Sequence, residues 1–312
     1  MKNFFQNSHQ LSEVETALKI QNPIRNEKSR FRLAKNSFAF LFLIFGALSF
    51  SQDDLGVIRD DGTLEFLDAL GEKHTMQVDN GAPKNVFKKE CWKMSGEKML
   101  YEGDERFSVR HGLDISRHDG DVDWNLVKKA GFEFVILRIA YRRYQAGTLH
   151  EDENFSRNFE GARKAGLDVG VYIFSQAIDE DEAKEEADFV LKILDGKKLQ
   201  LPVVFDPENI LDDDARTDNI SGAQFTKNAD IFCAAIRAAG YKPMIYANLM
   251  WEAFQFDMAH FAKMPFWYAD YEPFPQTPYD FEFWQYTAKG TVPGCPNAKK
   301  TDLDIQIIKK RN

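Results

Sequence analysis

From His111 onward, short apolar runs alternate with stretches of helical spacing, and this rhythm restricts the fold more than any other feature of the chain. Gly112-Leu113-Asp114-Ile115-Ser116 reads as a strand, followed by a helix over about 123–130, capped by Asp121 or Asp123 and stopped by Gly131. Phe134–Ala140 and Val169–Phe174 are further strands, with a helix over about 155–165 between them. The run Asp179-Glu180-Asp181-Glu182 opens a third helix that ends near Leu194. Leu201–Phe205 is a strand, Ser221 caps a helix to Ala239, and Pro243–Asn248 is a strand followed by a helix around 250–262. Strands alternating with helices predict βαβ units and a parallel sheet. Five units in succession favour closure into a barrel.

The last third changes character. Phe266–Tyr271, Phe281–Tyr286 and Asp302–Ile307 read as strands, but Pro273, Pro275, Pro278, Pro293, Gly294 and Pro296 leave no room for helices between them. The expected fold is therefore an α/β, irregular TIM-like barrel with about eight strands and five helices, its last strands without helices, spanning 109–312. Residues 53–108 read as a small β-rich extension or linker with turns at Asp60-Asp61-Gly62, Asn80-Gly81 and Ser95-Gly96.

Residues 1–52 read as a basic leader followed by a signal peptide or anchor. In the first 37 residues, Lys and Arg outnumber Asp and Glu seven to three, and the run from Phe38 to Phe50 carries no charge. That run is short for a membrane span but suits a signal-peptide core. Ala47-Leu48-Ser49 offers small residues at cleavage spacing. The body of the chain is thus expected outside the cytoplasm, touching a membrane only through this segment if it is retained. A net charge of −9 with no basic stripe argues against nucleic acid. Three cysteines, Cys91, Cys233 and Cys295, make neither a disulfide framework nor a metal spacing, although one Cys91–Cys295 bridge stays open. No cofactor is implied, and the expected state is a monomer.

The chemistry concentrates at Leu201-Pro202-Val203-Val204-Phe205-Asp206-Pro207-Glu208. Side chains alternate across a strand, so Asp206 and Glu208 leave it on one face, roughly 7 Å apart along the backbone. Barrel chemistry sits at the carboxyl ends of the strands, where this chain also places Asp114 and Asn248. Tyr271, Trp284 and Tyr286 come late in their strands. Carboxylates with flat aromatic faces suit cleavage of a sugar polymer.

From Gly112 to about Ile307 the sequence resembles the family 25 glycoside hydrolases, lysozymes that cut peptidoglycan between N-acetylmuramic acid and N-acetylglucosamine. Gly112-Leu113-Asp114-Ile115-Ser116 with Asp123-Trp124 looks like the family opening, and Asp152, Phe155 and Asn158 like its spaced D-x-x-F-x-x-N. Gly170-Val171-Tyr172 is similar to its third strand and Asp206-Pro207-Glu208 to its D-x-E signature. Trp284-Gln285-Tyr286-Thr287, Val292-Pro293-Gly294 and Asp302-Leu303-Asp304 look like the closing pattern. His118-Asp119-Gly120 departs from it, standing where the family usually has a glutamine before the glycine.

The resemblance implies a flattened barrel of eight strands and five helices, with Glu208 as general acid, Asp206 stabilising charge or orienting the 2-acetamido group, and Asp114 and Asp302 completing an acidic floor. It also implies retention of configuration, and peptidoglycan glycan strands as partner. The expected glycan contacts are Tyr172, Tyr246, Asn248, Tyr271, Trp284, Gln285 and Tyr286. Competing readings are a chitinase-like, substrate-assisted glycosidase and a non-catalytic glycan-binding barrel. The run Asp212-Asp213-Asp214 is read as a solvated loop rather than a metal site, and Arg138 and Arg142-Arg143 as either anion contacts or a solvated face.

Overall fold

Four of the five α-helices begin where a short polar side chain closes the first turn. In the computed structural model, which describes residues 55–210, 214–296 and 300–310, Asp123 Oδ1 accepts from the backbone N–H groups of Asn125 and Leu126, and Ser221 Oγ accepts from that of Gln224. The signal-segment expectation and most of the Asp212–Asp214 run lie outside the described residues.

In chain order the strands are β1 (Thr63–Leu67), β2 (Lys73–Gln77), β3 (Trp92–Ser95), β4 (Lys98–Tyr101), β5 (Phe107–Ile115), β6 (Phe134–Arg142), β7 (Leu149–Glu151), β8 (Asp168–Ser175), β9 (Val203–Pro207), β10 (Pro243–Asn248), β11 (Phe266–Ala269), β12 (Phe283–Gly290) and β13 (Thr301–Lys309). The α-helices are α1 (Trp124–Lys129), α2 (Phe155–Lys164), α3 (Glu180–Leu194), α4 (Gly222–Ala238) and α5 (Leu249–Phe254). The fifth is shorter than its sequence suggests, ending at Phe254.

Eight strands close into a barrel in the order β5-β13-β12-β11-β10-β9-β8-β6, the ring being completed by β6 pairing back to β5. The pairs from β5 through β6, β8, β9, β10 and β11 to β12 are parallel. By contrast, β13 runs antiparallel to both β12 and β5. An antiparallel return needs no crossover helix, so the proline-rich segment between β12 and β13 suffices, while the parallel pair β11–β12 is joined by a helix-free loop that holds Pro273, Pro275 and Pro278. The short β7 adds to the outside of β6.

Alternation separates two cores. The outward residues Leu113, Val135, Val171, Phe205 and Ile245 join the helices in one large cluster. The inward residues Phe134, Ile136, Tyr172, Val204, Met244, Trp267 and Phe283 fill the barrel as a second. At Gly112 a side chain has no space: a β-carbon there would come within 2.2 Å of the Phe134 ring. Glycine at this point lets an aromatic ring from the neighbouring strand fill the barrel's lower layer.

The extension is two β-hairpins, β1–β2 and β3–β4, both packed on the barrel. Trp92 of β3 meets Trp284 of β12 edge to face at 5.1 Å, and His111 Nε2 is 2.8 Å from Met99 O. All three cysteines are buried free thiols, so the Cys91–Cys295 bridge is absent. Among the described residues no helix is long and apolar enough to cross a membrane.

Candidate active site

The apolar layers of the barrel give way at the carboxyl ends of the parallel strands to a layer of acids. Strand alternation puts Val204, Asp206 and Glu208 in phase, and the inward placement of Val204 carries both acids into the barrel mouth. Asp302 pairs with Asp114 across β13–β5, so these two carboxyls stand level. Because β13 enters from the rim, Asp304 lies two residues deeper, opposite Gly112 and roughly 7 Å below Asp302.

A hydrogen-bonded line crosses this mouth. Tyr271 Oη donates to Gln285 Oε1 at 2.9 Å, and Gln285 Nε2 donates to Asp114 Oδ2 at 2.8 Å. Deeper, Trp267 Nε1 donates to Asp304 Oδ1 at 2.8 Å. Asp206 Oδ1 is buried with no hydrogen-bond partner, as is Asp304 Oδ2. Unpartnered buried carboxylate oxygens are costly, and each is a local cost of the barrel's acid layer.

The electrostatics follow from this crowding. Burial first, and the charge of Asp302 second, push Glu208 up to about 7, with Arg138 opposing. Asp206 is held well above the usual carboxylate range by burial and then by Glu208, again opposed by Arg138. Asp114 is raised in the same direction by burial and the charges of Asp302 and Asp304. Asp302 is pushed up to about 6 by burial and then by Asp119. Burial also raises Asp304, against the hydrogen bond from Trp267. The Tyr172 and Tyr246 phenols, buried beside these acids, are raised well above their ordinary range and stay neutral donors.

Glu208 retains contact with the cleft, while Asp206 beside it is only 3% exposed. Glu208, Tyr246, Asn248 and Tyr271 line a common cavity of about 260 Å³. The Asn248 carboxamide also caps α5, its Oδ1 accepting from the N–H of Trp251 at 3.1 Å. Tyr271 is 44% exposed, a ring face available to a ligand.

Two expected glycan contacts are placed elsewhere. Gln285 points inward, so its neighbours Trp284 and Tyr286 point out of the barrel. Trp284 is fully buried and donates from Nε1 to Asp270 O at 2.8 Å, while Tyr286 Oη donates to Glu97 O of the extension at 2.8 Å. Both rings anchor the extension to the barrel.

Arg138 and Arg142 are both buried and held in ion pairs rather than solvated. Arg138 is in phase with Phe134 and Ile136, points into the mouth, and pairs with Asp152 (Nε to Oδ2, 2.8 Å). Arg142 pairs with Glu186 at 2.7 Å and Glu185 at 2.7 Å on α3. The site role of Arg138 escapes motif reading, but its phase within an otherwise apolar strand points to it. Among the described residues one group has metal-ligand spacing, Asp68 and Glu72 of the β1–β2 turn with His74 of β2.

The family model for the glycosyl hydrolases family 25 matches residues 113–295, more than half of the chain. Among curated proteins, YegX of Escherichia coli K12 is 27% identical over 191 residues, covering 59% of this chain and 65% of that protein. Lysozyme M1 of Streptomyces globisporus is 31% identical over 195 residues, covering 59% of this chain and 63% of that one. The chain thus spans a little under two thirds of the length of these relatives. A solved family 25 glycosyl hydrolase from Bacillus anthracis superposes with a TM-score of 0.54 at 23% identity, over 66% of this chain and 92% of that one, a likeness of fold. The irregular barrel of eight strands and five helices is the architecture they share, and this chain belongs to the glycosyl hydrolases family 25.

Proposed function

We propose that the chain is a lysozyme that hydrolyses the β-1,4 bond between N-acetylmuramic acid and N-acetylglucosamine in peptidoglycan, acting outside the cytoplasm. The observation that carries this reading is a carboxyl pushed up to about 7, on Glu208, opening into a cleft beside a second, more buried acid. A general acid works best with its pKa near the operating pH, and glycoside cleavage needs one acid to protonate the leaving oxygen while another group meets the positive charge at the anomeric carbon.

Glu208 donates its proton to the glycosidic oxygen as the C–O bond breaks, and water then forms the new bond to the anomeric carbon and returns a proton to Glu208. Asp206, next to it on the same strand face, faces the oxocarbenium-like centre or orients the 2-acetamido group. As Glu208 gives up its proton, the Arg138 guanidinium stabilises the carboxylate that forms. Asp114 and Asp302 form the acidic floor, and the Asp114–Gln285–Tyr271 line fixes the orientation of the Tyr271 ring. Membership of a hydrolase family and the likeness to a lysozyme support this assignment, and the apolar run near the amino terminus supports export.

Purified peptidoglycan digested with the full chain should yield muropeptides whose new reducing ends are muramic acid, read by mass analysis after reduction. New reducing ends on N-acetylglucosamine, or efficient digestion of chitin oligomers in place of peptidoglycan, would overturn the assignment.

A further inference from the structure

The cavity that Glu208 opens into is not built from the family segment alone. Its other wall is the turn that joins β1 to β2, residues Leu67–Leu70, which lies before the matched residues 113–295. We propose that this turn is part of the substrate cleft, with Leu70 touching a saccharide unit beyond the two that flank the bond that Glu208 protonates. The proposal rests on the glycosidase reading and adds a subsite to it.

Three observations carry it. First, the turn is apolar where it meets the cavity: Leu70 is 54% exposed, although the rest of its hairpin buries Leu64, Phe66 and Met76 almost completely. A lone exposed leucine is ordinary, but this one shares a concave surface with Glu208 and the half-exposed Tyr271 ring. Sugar rings offer C–H faces and N-acetyl methyl groups that fit such a surface.

Second, the turn is held rigid from within. Asp68 Oδ1 accepts from the N–H groups of Leu70 and Glu72 at 2.9 and 2.8 Å, and His74 Nε2 lies 3.0 Å from Asp68 Oδ2. Gly71 supplies the positive φ of +78° that lets the chain reverse.

Third, the turn is docked to the loop after β11 that carries Tyr271. The fully buried Gln276 receives the N–H of Leu67 on Oε1 at 2.8 Å and donates Nε2 to Leu67 O at 3.0 Å. The N–H of Gln276 is in turn bound by Asp270 Oδ2 at 2.9 Å, one residue before Tyr271. Gln276 is a positioning residue: it fixes the hairpin wall relative to Tyr271. A wall set before the ligand arrives loses little entropy on binding.

The test compares Leu70→Ala and Leu70→Trp with the parent chain on peptide-free peptidoglycan glycans of disaccharide, tetrasaccharide and hexasaccharide length. Turnover is measured in the parent background, and binding by calorimetry in a Glu208→Gln background that leaves the glycan intact. Leu70→Ala should raise KM and Kd about tenfold for the longer glycans, since part of a leucine's burial is lost. It should leave the disaccharide and kcat unchanged to within about twofold, while Leu70→Trp tightens binding. Equal KM and Kd at every length would overturn the proposal. Glycan binding that weakens with Leu70→Ala, in a parent chain that cleaves nothing, would remove the hydrolase reading and keep the subsite. A parent chain that binds no glycan removes both.

Discussion

Replacing Glu208 by glutamine should stabilise the fold at alkaline pH while abolishing hydrolysis. The carboxyl rises from its ordinary 4.5 to about 7 on folding. A group raised in this way contributes stability that is fully present below its unfolded pKa and is lost as pH rises through its folded pKa. The folded chain therefore loses stability between about pH 4.5 and pH 7, where the unfolded chain releases a proton that the folded chain still holds. Each pH unit in that interval is worth about 1.4 kcal/mol, so the upper bound is about 3 kcal/mol. Glu208 keeps some solvent contact and can share its proton load with Asp206, which reduces the expected gain to about 1–2 kcal/mol. Glutamine removes the charge and keeps the shape. Urea denaturation of parent and variant at pH 5 and pH 8.5 measures the difference: near zero at pH 5, and a variant more stable by about 1–2 kcal/mol at pH 8.5. An equal change at both pH values, or a loss of stability at pH 8.5, would refute the claim that this carboxyl is buried and protonated.

Asp206→Asn should lower kcat about a hundredfold or more with little change in KM, because the charge it meets develops only in the transition state; a change confined to KM would make Asp206 a binding residue. Asp302→Asn should lower activity by at least about tenfold at nearly constant stability, whereas Asp304→Asn, two steps below and bound to Trp267, should mainly alter stability. Activity assays paired with melting curves separate the two, and the reverse pattern would contradict the depths that the antiparallel β13 assigns. Trp284→Phe should cost about 1–3 kcal/mol by leaving Asp270 O without its indole donor and thinning the contact with Trp92, while KM on peptidoglycan stays put. A raised KM would return Trp284 to the cleft.

The barrel was legible because each βα unit carries its own local signal. Asp123 and Ser221 cap helices where the chain says they should, and β6 is so apolar that all nine of its residues are buried. The helix-free ending was legible too, since prolines leave no room for helices between the last strands, although only β13 returns antiparallel while β12 stays parallel to β11. Asp206 and Glu208 could be brought together by alternation along one strand.

That period also explains the misplacement of Trp284 and Tyr286. Aromatic residues beside acids suggest a sugar platform, yet once Gln285 faces inward its two neighbours cannot. What they face instead is the extension, whose packing depends on contacts between residues far apart in the chain. Gln276 grips Leu67 across 209 positions, and no local pattern encodes such a contact. The hairpin wall of the cleft was invisible for the same reason.

The acid layer shows why activity and stability must oppose each other here. Asp114, Asp206, Glu208, Asp302 and Asp304 crowd one end of the barrel, and the cation that acts on Asp206 and Glu208 is Arg138, already paired with Asp152. Were that end open to water, each carboxyl would titrate in its ordinary range, and at neutral pH Glu208 would hold almost no proton to donate. Were it apolar, the barrel would be more stable and inert. The two inner layers resolve the conflict by position. Phe134, Val204, Met244, Trp267 and Phe283 fill the lower barrel closely, and their burial offsets the cost of holding five acids above them. Relief of that cost in Glu208→Gln and loss of catalysis are therefore one effect seen by two assays, and a variant that separated them would show that the proton on Glu208 does not take part in the reaction.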